Sequence, residues 1–298
     1  MPLYLIDASV FIFRAYFSVP VTLVDDDGQP VNAVHGFGRF LGDLLEKERP
    51  AHIAVAFDQS LTTSFRNKLY PPYKANREPA PLELKRQFAW CRELCQGFGL
   101  ADFSSAEYEA DDLIGTLATQ ARAQGRQTVL VTRDKDLSQL IRPGDVYWDY
   151  IGEMRYEYDY IPERFGVLPE RMADFLALTG DAVDNIRGVP GVGKKTASVL
   201  LKHYESLDHL YENLDAVLKL NIRNAGFVAG QLRDYREAAF LARQLTSIAC
   251  DAPMQADAVQ LRRRSPDLTA LNALYDTLGF GRLLRNQAER IGEQGLNS

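Results

Sequence analysis

Leu3-Tyr4-Leu5-Ile6-Asp7 is a continuous apolar run that ends on an acid, and the pattern returns twice. Ile53-Ala54-Val55-Ala56-Phe57 leads into Asp58, and Thr128-Val129-Leu130-Val131-Thr132 leads, one residue on, into Asp134. Each run is short, rich in β-branched or aromatic residues, and unbroken rather than alternating. That is how a strand buried on both faces of a parallel sheet reads. An Asp after a single strand is a turn residue or a helix cap. Three of them at the same relative place point to the carboxyl edge of an open α/β sheet, where functional crevices lie.

Between these runs the apolar period changes to that of a helix. Phe37, Phe40, Leu41, Leu44 and Leu45 share one face. So do Ala110, Leu113, Ile114, Leu117, Ala118 and Ala121, with Gly125 as a stop signal just beyond. Strand–helix alternation implies a mostly parallel sheet flanked by helices. After about residue 170 the strand signals cease. Helical stretches are expected at Met172–Leu178, Lys195–Tyr204, Leu207–Leu210, Arg233–Leu245 and Leu268–Leu278. The expected organisation is an α/β region over 1–172 and a helical region over 173–298.

The 298 residues are 46% hydrophobic, enough to bury a substantial core, and 25% charged, an ordinary globular value. No apolar stretch approaches the ~20 residues that span a bilayer, and the start lacks the basic residues and length of a signal peptide. The three cysteines, Cys91, Cys95 and Cys250, make no disulfide framework and read as reduced thiols in a core. A soluble, monomeric protein of a reducing cytoplasm is expected. The net charge of −6 argues against nucleic acid on its face. It misleads if the acids are concentrated in one place, because the rest of the chain is then net positive.

The acids are concentrated. Besides Asp7 and Asp58, Glu109, Asp111 and Asp112 open a helix, Asp134 and Asp136 follow the third strand, and Asp181 and Asp184 lie in Gly180-Asp-Ala-Val-Asp-Asn185. Helix capping accounts for one or two acids at a helix start, at a few tenths to about 1 kcal/mol each. It does not account for three together, because like charges repel unless something positive lies among them. Nine carboxylates with no His or Cys suit hard cations, Mg²⁺ or Mn²⁺, and make zinc a poor fit. Two such ions about 4 Å apart perform in-line displacement at phosphorus.

Two further segments suit DNA. Between Phe65 and Arg86, six cations (Arg66, Lys68, Lys74, Arg77, Lys85 and Arg86) face two acids, with Tyr70 and Tyr73 among them. Charges for phosphates and rings for bases describe a single-strand site. A solvated loop is the plain alternative, which Pro71, Pro72, Pro79 and Pro81 permit. Gly188-Val-Pro-Gly-Val-Gly-Lys-Lys-Thr196 imitates a phosphate-binding P-loop, but Lys195 stands where that motif needs Ser or Thr and no strand precedes it. Its flanks instead suggest a helix-hairpin-helix over about 186–204. There Gly188, Gly191 and Gly193 let the backbone approach a phosphate, with Lys194, Lys195 and Thr196 at the following helix start.

Taken together, Leu5-Ile-Asp-Ala-Ser9, Ala56-Phe-Asp58, Tyr73-Lys-Ala-Asn-Arg77, Glu109-Ala-Asp-Asp112, Asp134-Lys-Asp136 and Gly180-Asp-Ala-Val-Asp-Asn185 resemble the motifs of the bacterial 5′–3′ exonuclease family. These are the nucleases found at the start of DNA polymerase I and as free-standing flap endonucleases. The resemblance covers nearly the whole chain. It implies a PIN- or resolvase-like nuclease core and a helix-hairpin-helix that binds duplex DNA, with a K⁺ ion on its backbone carbonyls. It implies that Asp7, Asp58, Glu109, Asp111 and Asp112 serve one Mg²⁺, and Asp134, Asp136, Asp181 and Asp184 a second. It places Lys74 and Arg77 in a helical arch, about 65–90, facing the scissile phosphate, with Tyr73 stacking on a base and Arg14 near the active site. Arg133 stands where the family has Gly, and Arg187 where it has Pro, which bears on loop shape and not on the ligands.

The implied activity is metal-dependent hydrolysis of phosphodiesters near the 5′ ends of flapped, nicked or gapped DNA. RNA–DNA hybrids at primers are a further substrate and a DNA polymerase a partner. With no polymerase segment after residue 298, the chain reads as a free-standing nuclease or a fragment cut at a domain boundary. A non-catalytic structure-specific DNA holder is the competing reading. It is disfavoured because a binder gains nothing from nine acids facing phosphate. A small toxin-like ribonuclease is disfavoured by chain length and by the hairpin.

Overall fold

The computed structural model describes residues 1–59, 62–257 and 259–294. The elements run β1 (Leu3–Asp7), α1 (Ala8–Ser18), α2 (Asn32–Glu48), β2 (His52–Asp58), α3 (Phe65–Leu69), α4 (Leu82–Gly97), β3 (Ala101–Ser105), α5 (Ala110–Ala123) and β4 (Thr128–Val131). They continue with β5 (Val146–Asp149), β6 (Met154–Glu157), α6 (Ile161–Phe165), α7 (Met172–Thr179), α8 (Lys194–His203) and α9 (Leu207–Glu212). The last are α10 (Ala225–Asp234), α11 (Arg236–Thr246), α12 (Leu268–Thr277) and α13 (Arg282–Glu293). Contacts divide the chain into two interleaved units. One comprises 1–59, 79–133 and 250–298, the other 60–78 and 134–249. A cut at residue 172 would follow neither unit, and residues 295–298 of the expected helical region lie outside the described residues.

In the first unit β3, β2, β1 and β4 lie side by side and parallel. Leu3 is level with His52 on one side and Thr128 on the other. All five residues of β1 are buried, as its unbroken apolar run requires. β3 was not among the three expected runs. Its sequence Ala-Asp-Phe-Ser-Ser is polar because it is half-buried on an outer edge. The apolar stripe of α2 is buried at Phe37, Leu41, Leu44 and Leu45, and that of α5 at Leu113, Ile114, Leu117 and Ala118. Gly125 takes φ +71° just past α5, the left-handed stop its position predicts. Cys91 and Cys95 are free and buried, and burial, with Cys95 beside it, raises the Cys91 thiol.

The chain returns to this unit after residue 250. Ile53 N donates to Leu261 O at 2.9 Å and Arg263 N to Ala51 O at 2.9 Å. The helical stretch expected at Leu268–Leu278 is therefore present as α12 but belongs with the α/β unit, not with the helices that precede it.

The second unit is mainly helical. β5 and β6 form a short antiparallel pair, Val146 level with Glu157. α7 to α11 close on a core that includes Leu176, Ala197, Leu200, Leu201, Leu210, Leu232 and Ala239. The single helix expected over Arg233–Leu245 is broken at Tyr235, between α10 and α11. The segment expected as a helical arch is a five-residue helix, α3, followed by turns over 71–76. Pro71 and Pro72 lack the backbone donors a continuous helix needs, and α4 begins only after Pro79 and Pro81. Among the described residues no helix is long and apolar enough to cross a membrane.

Candidate active site: two acidic clusters and a glycine hairpin

The first cluster grows from strand ends. Asp7, the last residue of β1, is buried and accepts from Thr132 Oγ1 at 3.1 Å. Asp58, the last of β2, accepts from Ser9 Oγ at 2.9 Å on one oxygen and from Ala110 N at 2.9 Å on the other. That second bond fixes the start of α5 to the end of β2. Glu109 and Asp112 form a reciprocal capping box on α5, Glu109 N donating to Asp112 Oδ2 at 3.0 Å. Both are buried, and Asp111 between them is half-buried. Capping thus explains the placement of two acids. Carboxylate oxygens carry about four lone-pair sites between them, more than the one bond each makes in the capping box.

The second cluster lies in the other unit. Asp134 caps the 3-10 turn Lys135–Leu140, accepting from Asp136 N at 2.9 Å. Burial raises its carboxyl above the ordinary range, and burial together with Asp134 pushes Asp136 up to about 7. Asp136 Oδ1 accepts no hydrogen bond. Between Asp136 and Asp181 stands Lys135, with Nζ 3.2 Å from Asp136 Oδ1 and 2.5 Å from Asp181 Oδ2. Burial works against the Asp181 charge, but Lys135 outweighs it and holds that carboxyl low. Asp181 Oδ1 also accepts from Val183 N at 2.8 Å.

Asp184 joins this cluster to the basic motif. Tyr73 OH donates to its Oδ2 at 3.2 Å, Arg77 binds its Oδ1, and Lys74 Nζ lies 3.9 Å away. The two turns are also joined through the backbone. Lys74 N donates to Asp184 O at 3.0 Å, Asn185 Nδ2 to Pro72 O at 2.7 Å and Asn76 Nδ2 to Ala182 O at 3.1 Å. Lys74 holds φ +55° to make this fit, a left-handed conformation that disfavours a side-chain-bearing residue by roughly 1–2 kcal/mol. The structure thus brings Tyr73, Lys74 and Arg77 onto the acids, whereas spacing alone suggested only a basic stretch.

Other expected residues are placed differently. Tyr73 is buried, its ring in the second unit's core and its hydroxyl on Asp184, so the ring is not presented for stacking on a base. Arg66 is buried as well. Its guanidinium donates to Leu245 O and Ser247 O, each at 2.8 Å, which closes the end of α11 rather than meeting a ligand. Lys68 is exposed on α3 and Arg14 on α1. Sequence reasoning passed over Ser9, Thr132 and Lys135. Ser9 in the first turn of α1 and Thr132 just past β4 lie two residues from Asp7 and Asp134, and Lys135 is the one cation inside Asp-Lys-Asp, which was the available signal.

The hairpin over 186–193 joins α7 to α8. Gly188 packs on the end of α7, where a Cβ would come within 2.3 Å of the Thr179 carbonyl carbon. Val189 and Val192 are buried anchors. Gly191 takes φ +78° beneath the Phe227 ring. Gly193 is the N-cap of α8 with no side-chain cap bond and open space around it. Lys194 and Lys195 are exposed at the first turn and Thr196 is half-buried. N–H groups without a side-chain cap, beside two exposed ammonium groups, are donors and charges of the kind that suit a phosphate. Among the described residues, no group of three or more His, Cys, Asp or Glu side chains is placed to hold a metal ion.

Residues 2–166 match the family model described as 5′–3′ exonuclease, N-terminal resolvase-like domain, and residues 167–269 that described as 5′–3′ exonuclease, C-terminal SAM fold. The chain is 35% identical to DNA polymerase I of Bacillus subtilis over 300 residues, covering 98% of this chain and 32% of that protein. It is 39% identical to DNA polymerase I of Pseudomonas aeruginosa over 298 residues, covering 99% of this chain and 32% of that one. The chain therefore spans about a third of the length of these relatives. Its fold is similar to that of the bacteriophage T5 flap endonuclease, solved as a pseudo-enzyme–product complex with DNA and metal ions. The TM-score is 0.66 at 19% identity, over 99% of this chain and 100% of that one.

Proposed function

We infer the activity from one premise: the chain belongs to the 5′–3′ exonuclease family. The reading is a divalent-metal-dependent 5′ nuclease that hydrolyses phosphodiesters near the 5′ ends of flapped, nicked or gapped DNA, including RNA primers. The observation that carries it is the second cluster. There half-buried Asp134 and Asp136 are both pushed toward protonation, and the Asp136 oxygen that accepts no hydrogen bond draws the Lys135 ammonium to 3.2 Å. Such a site gains by taking a cation. Its donors are all oxygen, which suits Mg²⁺, with Mn²⁺ as substitute. The T5 flap endonuclease of like fold was crystallised with metal ions and DNA.

Asp7, Asp58, Glu109, Asp111 and Asp112 would hold one ion, and Asp134, Asp136, Asp181 and Asp184 the other. When bound, such ions lower the pKa of an attacking water and stabilise the leaving oxygen. The chain's own residues do the positioning. Ser9 and the α5 N-terminus orient Asp58, and Thr132 orients Asp7. Lys74 and Arg77, held on Asp184, supply fixed positive charge toward a phosphate that gains charge as it is attacked. The hairpin would hold duplex backbone without reading bases, with K⁺ on its backbone carbonyls. The working place is the bacterial cytoplasm. A DNA polymerase is the partner suggested by the relatives, in which the matched region is part of a longer polymerase.

Cleavage of a 5′-labelled flap duplex tests this reading. Products near the junction that need Mg²⁺ and vanish with chelator are expected. Tight flap binding with no cut in Mg²⁺ or Mn²⁺ would replace the nuclease with a binding module. For the hairpin, Gly191→Val puts a β-branched residue at φ +78° and a Cβ 2.6 Å from the Phe227 ring. Roughly tenfold weaker duplex binding is expected, on the scale of 1–2 kcal/mol of strain, with Mn²⁺ binding unchanged. Unaltered duplex affinity would remove the hairpin from the DNA surface.

A further inference from the structure

Lys135 is the feature of the second cluster that the nuclease reading does not use. Its ammonium lies 2.5 Å from Asp181 Oδ2 and 3.2 Å from Asp136 Oδ1. Asp136 and Asp181 are two of the four acids that would hold the second ion, through oxygen ligands. The ammonium stands between them, and an ammonium and a divalent ion cannot occupy the same space. The Lys135 side chain is 41% exposed, whereas those of Asp136 and Asp181 are 16% and 7% exposed. The acids are fixed by their turns, and the lysine has a way out to solvent.

We propose that Lys135 is a resident counter-ion that occupies the second metal position and must leave it when the ion arrives. This rests on the two-ion reading above. Metal binding at this cluster is then an exchange of one cation for another. Without metal, Lys135 keeps Asp136 and Asp181 from facing each other as bare charges. With metal, it is released from both. The lysine therefore lowers the apparent affinity of the second cluster while keeping the metal-free protein folded. It acts through the acids and is a positioning residue.

Calorimetric Mn²⁺ titration of the full chain, beside thermal unfolding in chelator, tests this. The isotherm component that Asp181→Asn removes is assigned to the second cluster. In Lys135→Met that component is expected to tighten about tenfold, the scale of one charge-assisted hydrogen bond. In chelator the same variant is expected to unfold a few degrees lower, roughly 3 °C, and Lys135→Arg, which keeps the charge, is expected to match the unsubstituted protein there. If Lys135→Met does not fold, Lys135→Gln carries the same comparison. Unchanged or weaker Mn²⁺ binding in the neutral variants overturns the exchange and leaves the two-ion reading standing. If Asp181→Asn removes no component, the second cluster holds no ion, and both fall together.

Discussion

Asp112→Asn is expected to reduce flap cleavage by at least ~10²-fold, the scale of losing one electrostatic stabiliser at a reacting phosphate, while the fold survives. Asp112 is fully buried and its Oδ2 accepts Glu109 N at 3.0 Å in the capping box of α5. Asparagine keeps a side-chain oxygen that can accept that bond, so the helix start is preserved. What is lost is the negative charge that would hold a cation. DNA binding should be retained or slightly stronger, because a charge that repels phosphate is gone. Measured together, single-turnover cleavage and flap affinity separate the alternatives. Normal cleavage would show that Asp112 only caps the helix. Loss of cleavage together with a collapsed melting temperature would make its contribution structural.

The second large effect is expected at Lys74. Lys74→Ala should lower kcat on a flap substrate by roughly 10²-fold with flap affinity little changed. The backbone argument favours a clean result. Lysine and alanine share the same strain at φ +55°, so the substitution adds none. Asp184 keeps Arg77 and Tyr73 as partners, so the acidic cluster is not left bare. Lys74→Arg should recover only part of the rate, because a planar guanidinium does not place its charge where the ammonium does. If affinity falls while kcat holds, Lys74 is a phosphate anchor, and stabilisation of developing charge passes to Arg77.

Much of the site was legible because its acids follow features with strong local signals. A strand buried on both faces must be apolar throughout, so Leu3–Ile6, Ile53–Phe57 and Thr128–Val131 declare themselves and the Asp beyond each stands out. The same local physics marks α2, α5, α7 and α8. Edge strand β3 has only half a face to bury and shows no such signal. The break between α10 and α11 has no Gly or Pro at Tyr235 to announce it.

By itself, then, the sequence determined three of the four parallel strands, most of the helical stretches, the glycine hairpin and the identity of nine acids, because each rests on neighbours a few residues away. Tertiary structure alone decided how those residues are used. It drew Arg66 and Tyr73 out of the expected DNA surface, Arg66 onto carbonyls 179 and 181 positions away. It fastened the turn carrying Lys74 to one 111 positions away through Tyr73 and Asp184. It returned the chain after residue 250 to the α/β unit. It also set the Lys135 ammonium between two acids, one of them 46 positions off. A residue's sequence neighbourhood fixes its backbone state and its chance of burial, but which charge a lysine meets depends on segments that only folding brings within a few ångströms.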